Sequence, residues 1–291
     1  MNNQVTRILR IVRLDFLLAA ALVYSLGAGI AHYLGADINW NAYWLGQAWI
    51  TLIQISKQLL TAYFEPLETS SKPKPEAKMP RVALLAAAGT CLTVAASLTL
   101  SLLQISKFSP VVTLILMIGF LEAFFYSTPP FRLTSQGYGE LSTAIVSSVL
   151  ASSLSLLLQF GALHRLLAMT TFSLAALHLA LLIVMELPEY AADLKFRPKR
   201  LLVQMGWERA LILHNVLILA AFGLLGAALL LGLPFTIGGP AMLALPIGGL
   251  QIWLINNLAA GAKPNWRLLI FTSAALYLVF AYLLAFGFWT H

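Results

Sequence analysis

Charge is scarce in this sequence: only 10% of its 291 residues are Asp, Glu, Lys or Arg. A soluble domain carries about a quarter, so the composition excludes an ordinary water-soluble protein. The deficit is matched by 60% hydrophobic residues and a mean hydropathy of +0.85. Cysteine is nearly missing too. The one thiol, Cys91, excludes an intrachain disulfide framework and reads as a packing residue in an apolar run. A small-residue cleavage site is also lacking after the basic start of Arg7, Arg10 and Arg13, so the long apolar run behind them reads as a membrane segment rather than a cleaved secretion signal. The polar breaks, at 66–80, 129–138 and 187–208, are too short to fold alone, which leaves a single transmembrane domain over 1–291.

What is present is a series of apolar runs of about 20 residues, the length at which a helix crosses the hydrocarbon core. The sequence predicts nine, at roughly 14–34, 40–63, 83–105, 110–127, 139–160, 164–186, 210–232, 236–258 and 266–288. The runs are continuous rather than alternating in polarity, so the fold class is an all-α integral membrane bundle and not a barrel. Trp40, Trp44, Trp49, Trp266 and Trp289 read as an interface belt.

The charges orient these helices. With the N-terminus on one side, fifteen of the eighteen basic residues fall there, the exceptions being Lys57, Lys107 and Arg165. The positive-inside rule makes that side cytoplasmic. The expectation is a multi-pass protein of a bacterial-type inner (plasma) membrane with a cytoplasmic N-terminus. The net charge of +7 then needs no nucleic acid to explain it. The acids are lopsided as well, although that rule does not require it: of eleven, only Asp37 lies on the outer side. One face therefore concentrates both signs of charge and is the candidate functional face.

Two helix ends on that face echo each other. The second run closes on Gln58, Thr61, Glu65 and Glu68, and the sixth on Glu186, Glu189, Tyr190 and Asp193. Spacings of three and four put the acids of each end on one helical face. Carboxylates beside a bilayer core are costly and mark function. Facing one another, two such ends would hold magnesium ions that bridge to phosphate oxygens.

At this point the chain resembles the UbiA superfamily of intramembrane aromatic prenyltransferases. ELPEYAADLKFRPKRLLVQMG at 186–206 resembles the family's second Asp-rich motif, with Glu at two Asp or Asn positions. YSTPPFRLTSQGYGEL at 126–141 is similar to a loop of the dihydroxynaphthoate prenyltransferases of menaquinone synthesis, and LGAGIAH at 26–32 has the family's look. The first motif is degenerate: Thr61, Ala62 and Thr69 stand where the family has Asn or Asp, and Glu65 is the one surviving acid.

The resemblance implies nine membrane helices around an active-site cavity open to the cytoplasm and laterally to lipid. It implies transfer of a polyprenyl group from a prenyl diphosphate to a small aromatic acceptor, with Mg2+ as cofactor and no nucleic acid partner. Glu65, Glu186, Glu189 and Asp193 would hold the metal, and Glu65, Glu189 and Asp193 would be the catalytic acids. Lys57, Gln58, Thr61, Arg81, Tyr126, Arg132, Tyr190 and Lys199 would bind substrate. Blander readings stand beside these: a solvated acidic helix end paired with Lys195 and Lys199, a snorkelling Lys57, and an Arg132 that only anchors a loop. A divergent or catalytically silent UbiA-like binder of prenyl lipid or quinone, or a transporter, is the alternative function.

Overall fold

A computed structural model of the chain describes residues 13–64, 80–196 and 200–291, and no strand occurs among them. In chain order the helices are α1 (Leu14–Tyr33), α2 (Trp40–Phe64), α3 (Arg81–Ile105), α4 (Pro110–Phe125), α5 (Gly139–Phe160), α6 (Arg165–Glu186), α7 (Tyr190–Phe196), α8 (Leu201–Met205), α9 (Trp207–Leu230), α10 (Phe235–Ala259) and α11 (Trp266–Thr290). Seven of the described helices, α1, α3, α5, α6, α9, α10 and α11, are long and apolar enough to cross a membrane. They make the chain an integral multi-pass membrane protein.

Local chemistry sets the boundaries. Pro110 opens α4 at a position whose N–H would have no helical partner. Asn265 caps α11 by accepting the Leu268 amide at 3.2 Å. Gly161, at φ 82°, ends α5 in the left-handed region. Two helices are interrupted: α10 narrows to a 3₁₀ stretch over Gly239–Ala244, where Pro240 removes a donor, and α5 widens to a π-turn over Val146–Leu150.

Small residues allow the helices to approach closely. A side chain on Gly27 of α1 would overlap the Ser152 carbonyl of α5, so the α1–α5 contact requires glycine there. Tyr24, Ile30, Leu154, Phe280 and Phe288 close the core around that contact. Trp49 also belongs to this core and not to the interface belt expected of it. It is 0% exposed and donates to Thr99 Oγ1 of α3 at 2.9 Å, so its one polar atom is satisfied inside the bundle. Trp40 and Trp44 are exposed, as a belt requires.

Contacts group the helix ends. At one end Asn39 meets Gln159, and Trp289 donates to Ser25. At the other, the Arg13 amide donates to Gln58 Oε1 and Arg132 Nη2 donates to the Phe64 carbonyl. That second end gathers the start of α1, the end of α2, the α4–α5 connection and the end of α6.

Candidate functional site

Lys57 lies 4% exposed on α2, a depth at which an ammonium needs partners. It has three. Its Nζ donates to Glu122 Oε1 of α4 at 2.5 Å and to Thr143 Oγ1 of α5 at 2.9 Å. It also stands 3.9 Å from the centre of the Tyr126 ring, a cation–π distance. One turn on, Thr61 Oγ1 shares a 2.6 Å hydrogen bond with Ser127. The described part of the α2 end is thereby fastened to α4 and α5.

A second cluster sits at the α6 end. The chain leaves α6 through a 3₁₀ turn, Leu187–Glu189, and enters α7, which brings Asp193 back beside Glu186. Arg200 Nη1 lies 3.0 Å from Asp193 Oδ2 and 3.4 Å from Glu186 Oε1. Enclosure works against the guanidinium's charge, but Glu186, Asp193 and Glu140 outweigh it and hold the proton more firmly than usual. Glu140, in the first turn of α5, is 6% exposed and adds to the negative charge around Glu186 and Arg200. Tyr126 connects the two clusters. Its ring lies 3.9 Å from the Lys57 ammonium, and Glu122, Glu140 and Glu186 are the carboxylates around it.

The remaining sequence-predicted residues divide. Gln58 accepts the Arg13 amide at 2.7 Å. Arg132, at φ 40°, reaches back to Phe64 and joins the 129–138 connection to the α2 end. Glu189 is exposed, whereas Asp193 is 5% exposed. Tyr190 packs its ring against Trp207, centroids 5.4 Å apart. Arg81 is exposed at the start of α3. Glu65 and Lys199 lie outside the described residues. Among the described residues, no three of His, Cys, Asp and Glu stand gathered about one metal position. Beside the site, α4 and α5 border a cleft of about 330 Å³ walled by Ile118, Leu121, Phe125 and Val146, with Glu122 and Ser142 as its polar points.

No family model matches the chain, and no curated protein does. Solved structures do. A UbiA homolog from Archaeoglobus fulgidus bound to GPP and Mg2+ superposes at TM-score 0.71 with 18% identity, covering 98% of this chain and 100% of that one. An apo UbiA homolog from Aeropyrum pernix K1 gives 0.64 at 14% identity, over 94% and 97%. A digeranylgeranylglyceryl phosphate synthase gives 0.62 at 14% identity, over all of both chains. The fold is that of the UbiA homologues.

Within this UbiA-like fold, sequence alone assigns no role to Glu122, Ser127, Glu140, Thr143 or Arg200 of the site. Glu122 was detectable, because an ammonium inside an apolar helix requires an acid at the same depth on a neighbour, and Glu122 is the one acid of its run. Arg200 was visible only as one of several bases behind the α6 end. Its contacts depend on the turn at Leu187–Glu189, which sequence spacing does not give. Sequence alone gives no sign of a role for His178, on α6. It is 1% exposed and stacks on Tyr277 with centroids 4.9 Å apart.

Proposed function

We propose that this chain is an intramembrane prenyltransferase that moves a polyprenyl group from a prenyl diphosphate to a small aromatic acceptor, such as dihydroxynaphthoate, on the cytoplasmic side of nine membrane helices. The observation that carries the reading is the Arg200 guanidinium held between Glu186 and Asp193 at the α6 end, 3.4 and 3.0 Å away. Glu140 and Tyr126 add to the negative charge acting on it inside a UbiA-like bundle. The archaeal homolog that matches this fold over its whole length was solved with GPP and Mg2+.

The residues fit such ligands. Glu140 Oε2 is buried with no hydrogen-bond partner beside Glu186, an acceptor set that suits a hard divalent cation. Glu186, Glu189 and Asp193 would hold Mg2+, with Glu65 from the α2 end. When bound, Mg2+ offsets negative charge as diphosphate departs. In the reaction the allylic C–O bond breaks and its electron pair leaves with diphosphate. A ring carbon of the acceptor then forms the new C–C bond, and that carbon releases its proton. Arg200 would hold diphosphate oxygens, with Arg81, Arg132 and Lys199 supplying further positive charge. Fixed cations of this kind act without reorganising as charge develops. Lys57 already covers one face of Tyr126, so we assign Tyr126 to shaping the pocket and give the approaching allylic carbon its other side. The apolar α4–α5 cleft offers room for a prenyl tail beside lipid.

The test is incubation of purified protein with Mg2+, a polyprenyl diphosphate and dihydroxynaphthoate. A prenylated naphthoate is the expected product. No product, with an active prenyltransferase working in the same lipid, would count against the reading.

One observation favours a second reading, a silent binder of prenyl lipid. The described α2 end presents Thr61 and Ala62, and its Lys57 is closed onto Glu122. Installing Asp at positions 62 and 69 separates the two readings, since gained turnover would identify a decayed enzyme.

A further inference from the structure

Two of the described histidines are buried, and their surroundings differ. His214 of α9 is 0% exposed, and its Nδ1 shares a hydrogen bond with Asn215 Oδ1 at 3.1 Å. His178 of α6 is 1% exposed, and neither of its ring nitrogens has a hydrogen-bond partner. Its ring stacks on Tyr277 of α11 and lies 5.8 Å from the Phe16 ring of α1. Stacking uses the faces of an imidazole and leaves its two in-plane nitrogens unused. A polar group enclosed without a partner is costly to fold around. A chain that needed only a flat ring at this position could carry Phe.

His178 lines a cavity of about 10 Å³ between α1, α6 and α11. That volume admits one water-sized group. His178 and Tyr277 belong to its buried side, whereas its half-exposed lining, Asp15, Phe16, Ala274 and Leu278, comes from α1 and α11 alone. The cavity therefore opens in the α1–α11 seam, with His178 at its back. Asp15, paired with Arg13 at 3.2 Å, stands at the opening, which disfavours entry of a carboxylate. A hydroxyl oxygen has the size of water, and it both donates and accepts, as a neutral imidazole does. Eight residues of α6, about 12 Å of helical rise, separate His178 from Glu186. A diphosphate, its allylic carbon and a fused aromatic ring can bridge that distance.

We infer that His178 is the hydrogen-bonding anchor for a ring hydroxyl of the aromatic acceptor, held at the back of the α1–α11 seam. The inference rests on the prenyltransferase reading and names the residue that selects a hydroxylated ring.

The full-length protein in detergent, under nitrogen, is titrated with dihydroxynaphthoate and, separately, with naphthoate lacking both hydroxyls. Equilibrium dialysis reads the bound fraction. His178→Phe keeps a ring for the stack on Tyr277 but removes both nitrogens. Affinity for dihydroxynaphthoate should fall by about 10-fold or more, while affinity for naphthoate stays unchanged. The ligand-free melting temperature should equal or exceed that of the wild type, because two unpartnered polar atoms are gone. Unchanged affinity for dihydroxynaphthoate, or an equal fall for both ligands, overturns the His178 assignment and leaves the prenyltransferase reading standing. A wild type that binds neither aromatic, while Mg2+ and a prenyl diphosphate still raise its melting temperature, overturns His178 and the acceptor class but not the donor. Loss of that thermal shift as well overturns the whole reading. Should the Phe variant not fold, His178→Leu is taken through the same titrations and judged by the same two affinities.

Discussion

Lys57 on α2 and Glu122 on α4 form an ion pair 2.5 Å long in which each side chain is 5% exposed. Coulomb attraction inside a protein is opposed by the desolvation of both ions, so such a pair adds little net stability while making the loss of either partner expensive. Thr143 and the Tyr126 ring complete the shell around the ammonium.

Breaking this pair from one side should therefore be worse than removing it. Lys57→Met leaves Glu122 buried without its cation, and a loss of about 3–5 kcal/mol is expected. Adding Glu122→Leu should recover most of it. A double-mutant cycle from denaturant titrations in detergent checks this. If the two losses simply add, the pair has been misjudged.

Arg200 should be the most sensitive basic residue of the α6 end. Arg200→Gln removes the group that spans Glu186 and Asp193, leaving two enclosed carboxylates facing one another. Turnover should fall by about 100-fold or more, on the scale of losing one fixed electrostatic donor at a site of developing charge. Arg200→Lys should restore only part, since a single ammonium does not reproduce the two-sided fork. Equal activity of all three proteins would remove Arg200 from the site.

The same residues show how far the sequence carried. The runs at 14–34 and 266–288 lie within two residues of Leu14–Tyr33 and Trp266–Thr290, because solvation by lipid and by neighbouring helices both demand continuous apolar surface. The 3₁₀ break in α10 was signalled by Gly238, Gly239 and Pro240 in succession. The π-turn in α5 had no such mark. Glu186 and Asp193 were legible as acids at a membrane boundary. Their joint hold on Arg200 was not, because it depends on a tight turn and a short helix that return the chain on itself. Trp49 shows the reverse limit. An interface belt and a buried anchor use the same residue type, and only the position of Thr99 on α3 distinguishes them.

Glu189 and Asp193 should respond differently before ligand and alike after it. Glu189 is exposed, so Glu189→Gln should leave stability in EDTA within about 0.5 kcal/mol of wild type. Asp193→Asn strips a partner from Arg200 and should cost more, about 1–3 kcal/mol. If both carboxylates hold Mg2+, each variant should lose most of the thermal shift that Mg2+ and prenyl diphosphate give the wild type. A full shift in Glu189→Gln would remove Glu189 from the metal site.

Gly137 tests whether the α4–α5 connection positions the site or merely spans a gap. Its φ of 83° lies in the left-handed region, and a methyl group there would press on the Gln204 side chain. Gly137→Ala should therefore cost about 1–3 kcal/mol through backbone strain alone. The turn precedes Glu140 by three residues, so displacement should reach that buried carboxyl and the charge it places around Arg200 and Glu186. Expected are a lower melting temperature and weaker binding of Mn2+, a paramagnetic stand-in for Mg2+, together. Gly161→Ala provides the contrast. Gly161 has φ 82° and open space around it at the far end of α5. Backbone strain is similar at the two positions but only Gly137 adds the Gln204 clash, so the Gly161 variant should lose no more stability while leaving Mn2+ affinity unchanged. If both variants weaken Mn2+ binding equally, the effect is general loosening of α5 and the connection has no positioning role.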